Sequence, residues 1–168
     1  LFNLLHRYLM SERQNLLQNE IRISAFGRRD RIPRIVREAL AAVEAETRDC
    51  RRLHLRIALD YGSRYEIIEA VRALAHDAAR RKLRPEQITE EEFARQISPD
   101  GTPDPDLIIR TAGEQRLSNF LLWQAAYAEF YFTSKLWPDF DADDLAEAVA
   151  DFHARTRKFG ALACASGA

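Results

Sequence analysis

A chain of 168 residues, 46% of them hydrophobic, has the length of one domain and enough apolar material to bury a core of its own. Its 25 Lys and Arg and 26 Asp and Glu leave a net charge of −1, which excludes a global field drawing the protein onto nucleic acid or an acidic membrane, so any anion site must be local. Cys50 and Cys164 have neither metal-ligand spacing nor the pairing of a disulfide framework, and no apolar run nears the roughly 20 residues that span a bilayer. A cytoplasmic protein is the expectation.

In chain order, Leu1, Leu4, Leu5, Tyr8, Leu9, Leu16 and Leu17 recur with helical spacing, and Ile21 to Phe26 alternates as a strand that stops at Gly27. Ile32, Ile35, Val36, Ala39, Leu40 and Val43 mark a second helix, with Pro33 near its first turn, where a missing N–H costs little. Leu53 to Leu59 reads as a strand ending at Asp60-Tyr61-Gly62, and Ile67, Ile68, Val71 and Leu74 continue as a helix. Pro99, Gly101, Pro103 and Pro105 make a loop before a short buried strand, Leu107-Ile108-Ile109. A helix is expected from Leu117 to Tyr127, a last strand at Phe130-Tyr131-Phe132, and a last helix from Asp143 to Arg157 with Leu145, Ala148, Val149 and Phe152 on one face. Alternating strands and helices point to an α/β protein with a mostly parallel central sheet flanked by helices. One domain over residues 1–160 and a flexible tail over 161–168 complete the expected organisation.

Ligands of open parallel sheets sit beyond the carboxyl ends of the strands, where Arg110 follows Leu107-Ile108-Ile109. Gly113 permits a tight turn after it, and Arg116 and Ser118 add a forked cation and a hydroxyl ahead of the expected helix, a donor set suited to a diphosphate. Spacing alone leaves a second possibility open at even odds: both arginines serve only to pair with Glu114.

The run from Asp106 through Arg110, Gly113, Glu114, Arg116, Ser118, Asn119 and Trp123 to Glu129, extended by Phe130 to Phe140, closely resembles the signature of the cis-prenyltransferase family, the bacterial undecaprenyl diphosphate synthases among them. Weaker similarity at Ile21 to Gly27 and Leu53 to Arg64 spreads the resemblance over nearly the whole chain. It implies repeated addition of isopentenyl diphosphate, with cis double bonds, to an allylic diphosphate such as farnesyl diphosphate, giving a long polyprenyl diphosphate for a cell-wall lipid carrier. It places isopentenyl diphosphate at Arg110, Arg116 and Ser118, catalytic roles at Glu114 and Arg116, and an acid near Mg²⁺ at Glu129. The resemblance also puts Leu53 on the strand that in this family lines the far end of the product tunnel, where a large side chain limits chain length, although core packing alone would equally explain it. The resemblance also implies a homodimer, with the product drawing the enzyme transiently to the inner membrane.

Several positions depart from the family pattern. The upstream Asp-Gly-Asn-Gly-Arg-Trp segment, whose Asp binds Mg²⁺ and whose turn cradles the allylic diphosphate, is absent, and the chain starts inside a helix, so an N-terminal truncation with the first strands missing is expected. Gln115 stands where some relatives place a His, Lys158-Phe159-Gly160 where Arg-X-Gly is usual, Arg28 where an acid is common, and Asp60 where Asn is common. The missing segment makes a non-catalytic partner subunit or an inactive fragment the rival reading. Retention of Arg110, Glu114, Arg116, Ser118 and Glu129 speaks for the enzyme.

Overall fold

The structure, a computed structural model, describes residues 1–155. The Lys158-Phe159-Gly160 motif and the tail over 161–168 therefore lie outside the described residues. The chain forms two compact units, Leu1–Glu66 and a second that starts at Ile67.

In the first unit, α1 (Phe2–Gln18) and α2 (Arg34–Thr47) pack on a parallel pair, β1 (Ile21–Gly27) and β2 (Leu53–Leu59). Side chains alternate across a strand, so Ile21, Ile23 and Ala25 share one face with their register partners Leu53, Leu55 and Ile57. Leu9 and Leu16 of α1 and Ala39, Leu40 and Val43 of α2 close over Ile23 and Ala25 as the core. Leu40 is fully buried, and Pro33 stands at the N-terminal boundary of α2 as its spacing predicted.

A strand pair leaves outer backbone groups that must find partners. The N–H of Ile23 donates to Oγ1 of the buried Thr47 at 3.1 Å, and that hydroxyl donates on to the Val43 carbonyl. The N–H of Ala25 donates to Glu44 at 2.8 Å, and Arg29 pairs with the same carboxylate. The last turns of α2 thus satisfy the outer edge of β1 with side chains. Gly27 ends the strand at φ +105°, where a Cβ would sit 2.3 Å from the Leu59 carbonyl oxygen, so only glycine suits this position.

Helix α3 (Ser63–Ala79) follows Asp60-Tyr61-Gly62 and crosses the boundary at Glu66. The second unit continues with α4 (Glu90–Ile97), a parallel pair β3 (Leu107–Arg110) and β4 (Glu129–Phe132), and α5 (Ala142–Ala154). Helix α4 was not signalled by apolar periodicity; Thr89 caps it by accepting from the Glu92 N–H, with Glu90, Glu91 and Glu92 in its first turn. Asp141 caps α5 by accepting from the N–H groups of Asp143 and Asp144, and Asp144 reaches back to the Asp141 N–H.

The expectation of parallel strands and helices holds, with the strands arranged as two separate pairs. Two local readings change. Residues 117–127 form no α-helix: Ser118, Asn119 and Leu121 adopt φ of +50°, +65° and +47°, which a right-handed helix excludes, and only a short 3₁₀ turn over Gln124–Tyr127 remains. In α5 the described helix ends at Ala154; its buried side is Asp144 and Ala148, while Leu145 and Val149 stay exposed.

Candidate active site

Arg110 is the last residue of β3, in register with Phe132 of β4. Beyond it the chain turns through Ala112 and Gly113, both left-handed, at φ of +64° and +69°. Their N–H groups donate to the carbonyls of Lys135 at 2.7 Å and Thr133 at 2.9 Å, pinning the turn to the segment that leaves β4. Glu114 follows at once. One oxygen of its carboxylate, Oε2, lies 3.8 Å from Nη2 of Arg110 and in closer contact with Nη2 of Arg116. That oxygen and the Arg110 Nε are both buried and lack a hydrogen bond of good geometry.

The two arginines stand at a cavity of about 240 Å³ whose other walls are Ile108, Ile109, Leu117, Phe120, Phe130 and Phe132. The Phe130 and Phe132 rings stack 5.8 Å apart. Cations beside an aliphatic and aromatic floor suit a small anion that carries a hydrocarbon group. Ser118 is exposed in its left-handed turn and does not line this cavity, so the structure brings Arg110, Glu114 and Arg116 together and leaves Ser118 outside.

Glu129 is placed elsewhere. It pairs in register with Leu107, three residues before Arg110, which is about 10 Å along the strand. Alternation puts Glu129 and Tyr131 on one face of the pair and Phe130, Phe132 and Arg110 on the other. The Glu129 carboxylate accepts from Arg155 at 2.9 Å, and the same guanidinium donates to the Phe130 carbonyl at 2.9 Å and to Asp151. The hydrogen bonds that Arg155 donates to Glu129, foremost, and to Asp151 raise its pKa above the usual value. Tyr131, on the same face, has its phenol pKa raised by burial and then by Glu147 of α5.

Mg²⁺ takes oxygen ligands in octahedral geometry, so the residues present can be tested against it. Among the described residues no three His, Cys, Asp or Glu side chains gather where they could hold a metal ion. With Glu129 engaged by Arg155 on the far face from Arg110, this chain's donors do not fit a Mg²⁺ held between Glu129 and the two arginines.

A second cavity, of about 300 Å³, lies within the first unit, between α1 and the β1–β2 pair. Leu5, Tyr8, Leu9, Glu12 and Leu16 face Ile23, Leu55 and Ile57 there, so its lining is almost wholly apolar. Leu53 shares the strand face of Leu55 and Ile57, one pleat nearer the start of β2, and is 55% exposed. Trp123 packs edge-on against Phe93 of α4 at 4.5 Å, as a core residue does.

Sequence reasoning missed the Arg155 clamp, for which a residue 26 positions from Glu129 gives no local signal. It also missed the groove, whose signal was available: period-two Leu53, Leu55 and Ile57 opposite helically spaced Leu5, Leu9 and Leu16.

Comparison with known proteins adds an independent line. The family described as putative undecaprenyl diphosphate synthase matches residues 1–160. Isoprenyl transferase 1 of Bradyrhizobium diazoefficiens is 49% identical over 163 residues, covering 96% of this chain and 63% of the relative. Isoprenyl transferase of Aquifex pyrophilus is 45% identical over 160 residues, covering 95% of this chain and 67% of the relative. Among solved structures, lavandulyl diphosphate synthase from Lavandula x intermedia in complex with dimethylallyl diphosphate superposes with a TM-score of 0.91 at 39% identity, over 95% of this chain and 69% of that one. A probable undecaprenyl diphosphate synthase from Campylobacter jejuni gives 0.81 at 35% identity, over 95% and 72%. The chain thus spans about two thirds of the length of these relatives.

Proposed function

This chain belongs to the family described as putative undecaprenyl diphosphate synthase, and on that premise we propose that it acts in cis-prenyl chain elongation, adding isopentenyl diphosphate to an allylic diphosphate such as farnesyl diphosphate. The observation that carries this reading is the meeting of Arg110 and Arg116 at a cavity floored by Phe130, Phe132 and Ile108. Diphosphate oxygens match the two guanidinium forks, and the five-carbon isopentenyl group matches the apolar floor.

In the reaction the carbon–oxygen bond to the allylic diphosphate breaks, the isopentenyl double bond supplies the electron pair of the new carbon–carbon bond, and a proton leaves to restore a cis double bond. Arg110 and Arg116 neutralise the diphosphate that isopentenyl diphosphate retains and hold its double bond in place. Glu114 stands within reach of that diphosphate. Among the described residues no cluster of acids builds a cage for a divalent ion.

The groove of Leu5, Tyr8, Leu9, Leu16, Ile23, Leu55 and Ile57 is the place proposed for the lengthening hydrocarbon, which it shelters from water. Leu53, on the same strand face, would set the length limit, so Leu53→Ala is expected to shift the product distribution to longer chains in reversed-phase thin-layer separation. A homodimer, a role in supplying a cell-wall lipid carrier, and cytoplasmic work with the product drawing the enzyme to the inner membrane extend the reading on the strength of the family. No described helix is long and apolar enough to cross a membrane.

The test is incorporation of radiolabelled isopentenyl diphosphate into organic-extractable product by the purified protein with farnesyl diphosphate and Mg²⁺. Incorporation that requires the allylic primer supports the reading. Binding of isopentenyl diphosphate without any incorporation would instead favour the non-catalytic partner.

A further inference from the structure

Glu114 presents one carboxylate oxygen to both guanidiniums that line the cavity, at 3.8 Å from Arg110 and closer to Arg116. The contact is close in space and poor in hydrogen bonding: Oε2 is buried and makes no hydrogen bond of good geometry, and the Arg110 Nε is buried without one. Sharing that single oxygen, the Arg110 fork leaves its buried Nε–H without an acceptor, while the exposed Arg116 turns its other N–H groups to water. A diphosphate has oxygens enough to serve both forks at once, so exchanging Glu114 for a diphosphate gives the buried Arg110 Nε–H an acceptor and replaces a shared oxygen with separate charge-assisted contacts.

The backbone permits this exchange without rearrangement. Ala112 and Gly113 are held by the carbonyls of Lys135 and Thr133, and Glu114 is the first residue past that anchor. Its side chain leaves by rotation about its own bonds while Arg110, fixed at the end of β3, stays in place. The Arg116 side chain is 67% exposed and free to follow the new anion.

We propose that Glu114 is a built-in stand-in for the diphosphate: its carboxylate holds Arg110 and Arg116 together beside the cavity and is displaced when a diphosphate binds. The inference rests on the reading of Arg110 and Arg116 as diphosphate ligands and adds a regulation to that site.

Calorimetric titration of inorganic diphosphate into the purified protein, without divalent metal, tests it across a double-mutant cycle of Glu114→Gln and Arg116→Gln. Exposed and half-exposed ion pairs are weak, so Glu114→Gln is expected to tighten binding by about three- to tenfold, with Glu114→Ala in the same direction. In the Arg116→Gln background the tightening should shrink to less than about twofold, because the closer partner of Glu114 is gone and only the 3.8 Å contact with Arg110 remains. Unchanged or weaker binding in Glu114→Gln would overturn the proposal, and so would a tightening that persists in full without Arg116, which would mark simple removal of a negative charge. A parent protein that binds no diphosphate, or Arg110→Gln and Arg116→Gln variants that bind as the parent does, would instead remove the underlying reading of the arginines.

Discussion

The groove over β1 and β2 and the cavity beside Arg110 are built in opposite ways. The groove in the first unit is made of regular elements: a helix with leucines at helical spacing and a parallel pair with period-two apolar residues, closed by a core in which Leu40 and Val43 are almost completely buried. The cavity in the second unit is made where regularity stops. Of the seven non-glycine residues at positive φ among the described residues, Ala112, Ser118, Asn119 and Leu121 fall within ten positions of one another, in the loop that carries Glu114 and Arg116. Such conformations cost roughly 1–3 kcal/mol each and persist where surrounding contacts impose them. Periodic sequence makes a smooth wall for hydrocarbon; an irregular loop is required to bring two guanidiniums and a carboxylate to one point.

Substitutions that touch one region and spare the other test this division. The largest expected effect is at Arg110: replacement by Ala should lower kcat/KM for isopentenyl diphosphate by about 10²–10³-fold with the unfolding midpoint almost unchanged, by steady-state kinetics beside thermal denaturation. Leu40→Ala should do the reverse, costing about 2–5 kcal/mol of stability through the cavity it leaves, read by urea unfolding, while diphosphate affinity per folded molecule stays the same. Gly27→Ala places a Cβ against the Leu59 carbonyl and forces a left-handed alanine, so a loss of about 1–3 kcal/mol is expected in the same experiment.

The smallest effect is a pH dependence at the start of α5. The hydrogen bond from Lys135, and after it the Asp141 N–H, lower the Asp144 pKa below the usual carboxylate value. A group with a depressed folded pKa contributes stability that is present above its unfolded pKa and is lost as pH falls through the folded value. Asp144→Asn should therefore lower the unfolding midpoint near neutral pH and flatten its decline on the acid side; equal acid slopes in the two proteins would contradict the assignment.

The sequence made the first unit legible almost residue by residue, because α1, β1, α2 and β2 obey a single period each, with Gly27 ending β1, Pro33 opening α2 and Asp60 following β2. Arg110, at the end of β3, and Glu114 and Arg116 beyond it were legible as a candidate site by position. The helix expected over 117–127 was not there, since a run of apolar residues carries no mark of the left-handed turns at Ser118, Asn119 and Leu121. Helix α4 was missed, because its apolar residues are few and its one signal is the cap, Thr89 before three glutamates. Glu129 was set near the arginines by the family resemblance alone; the register with Leu107 and the reach of Arg155 from α5 decide its surroundings, and neither is written locally.

The most direct test of the central claim is a binding titration of isopentenyl diphosphate to the parent protein and to the Arg110→Gln, Arg116→Gln double variant, with circular dichroism to confirm that both are folded. The account predicts that the double variant binds at least about 100-fold more weakly, since two charge-assisted contacts to one diphosphate are lost. Affinity within twofold of the parent would contradict it and place the diphosphate site elsewhere in the chain.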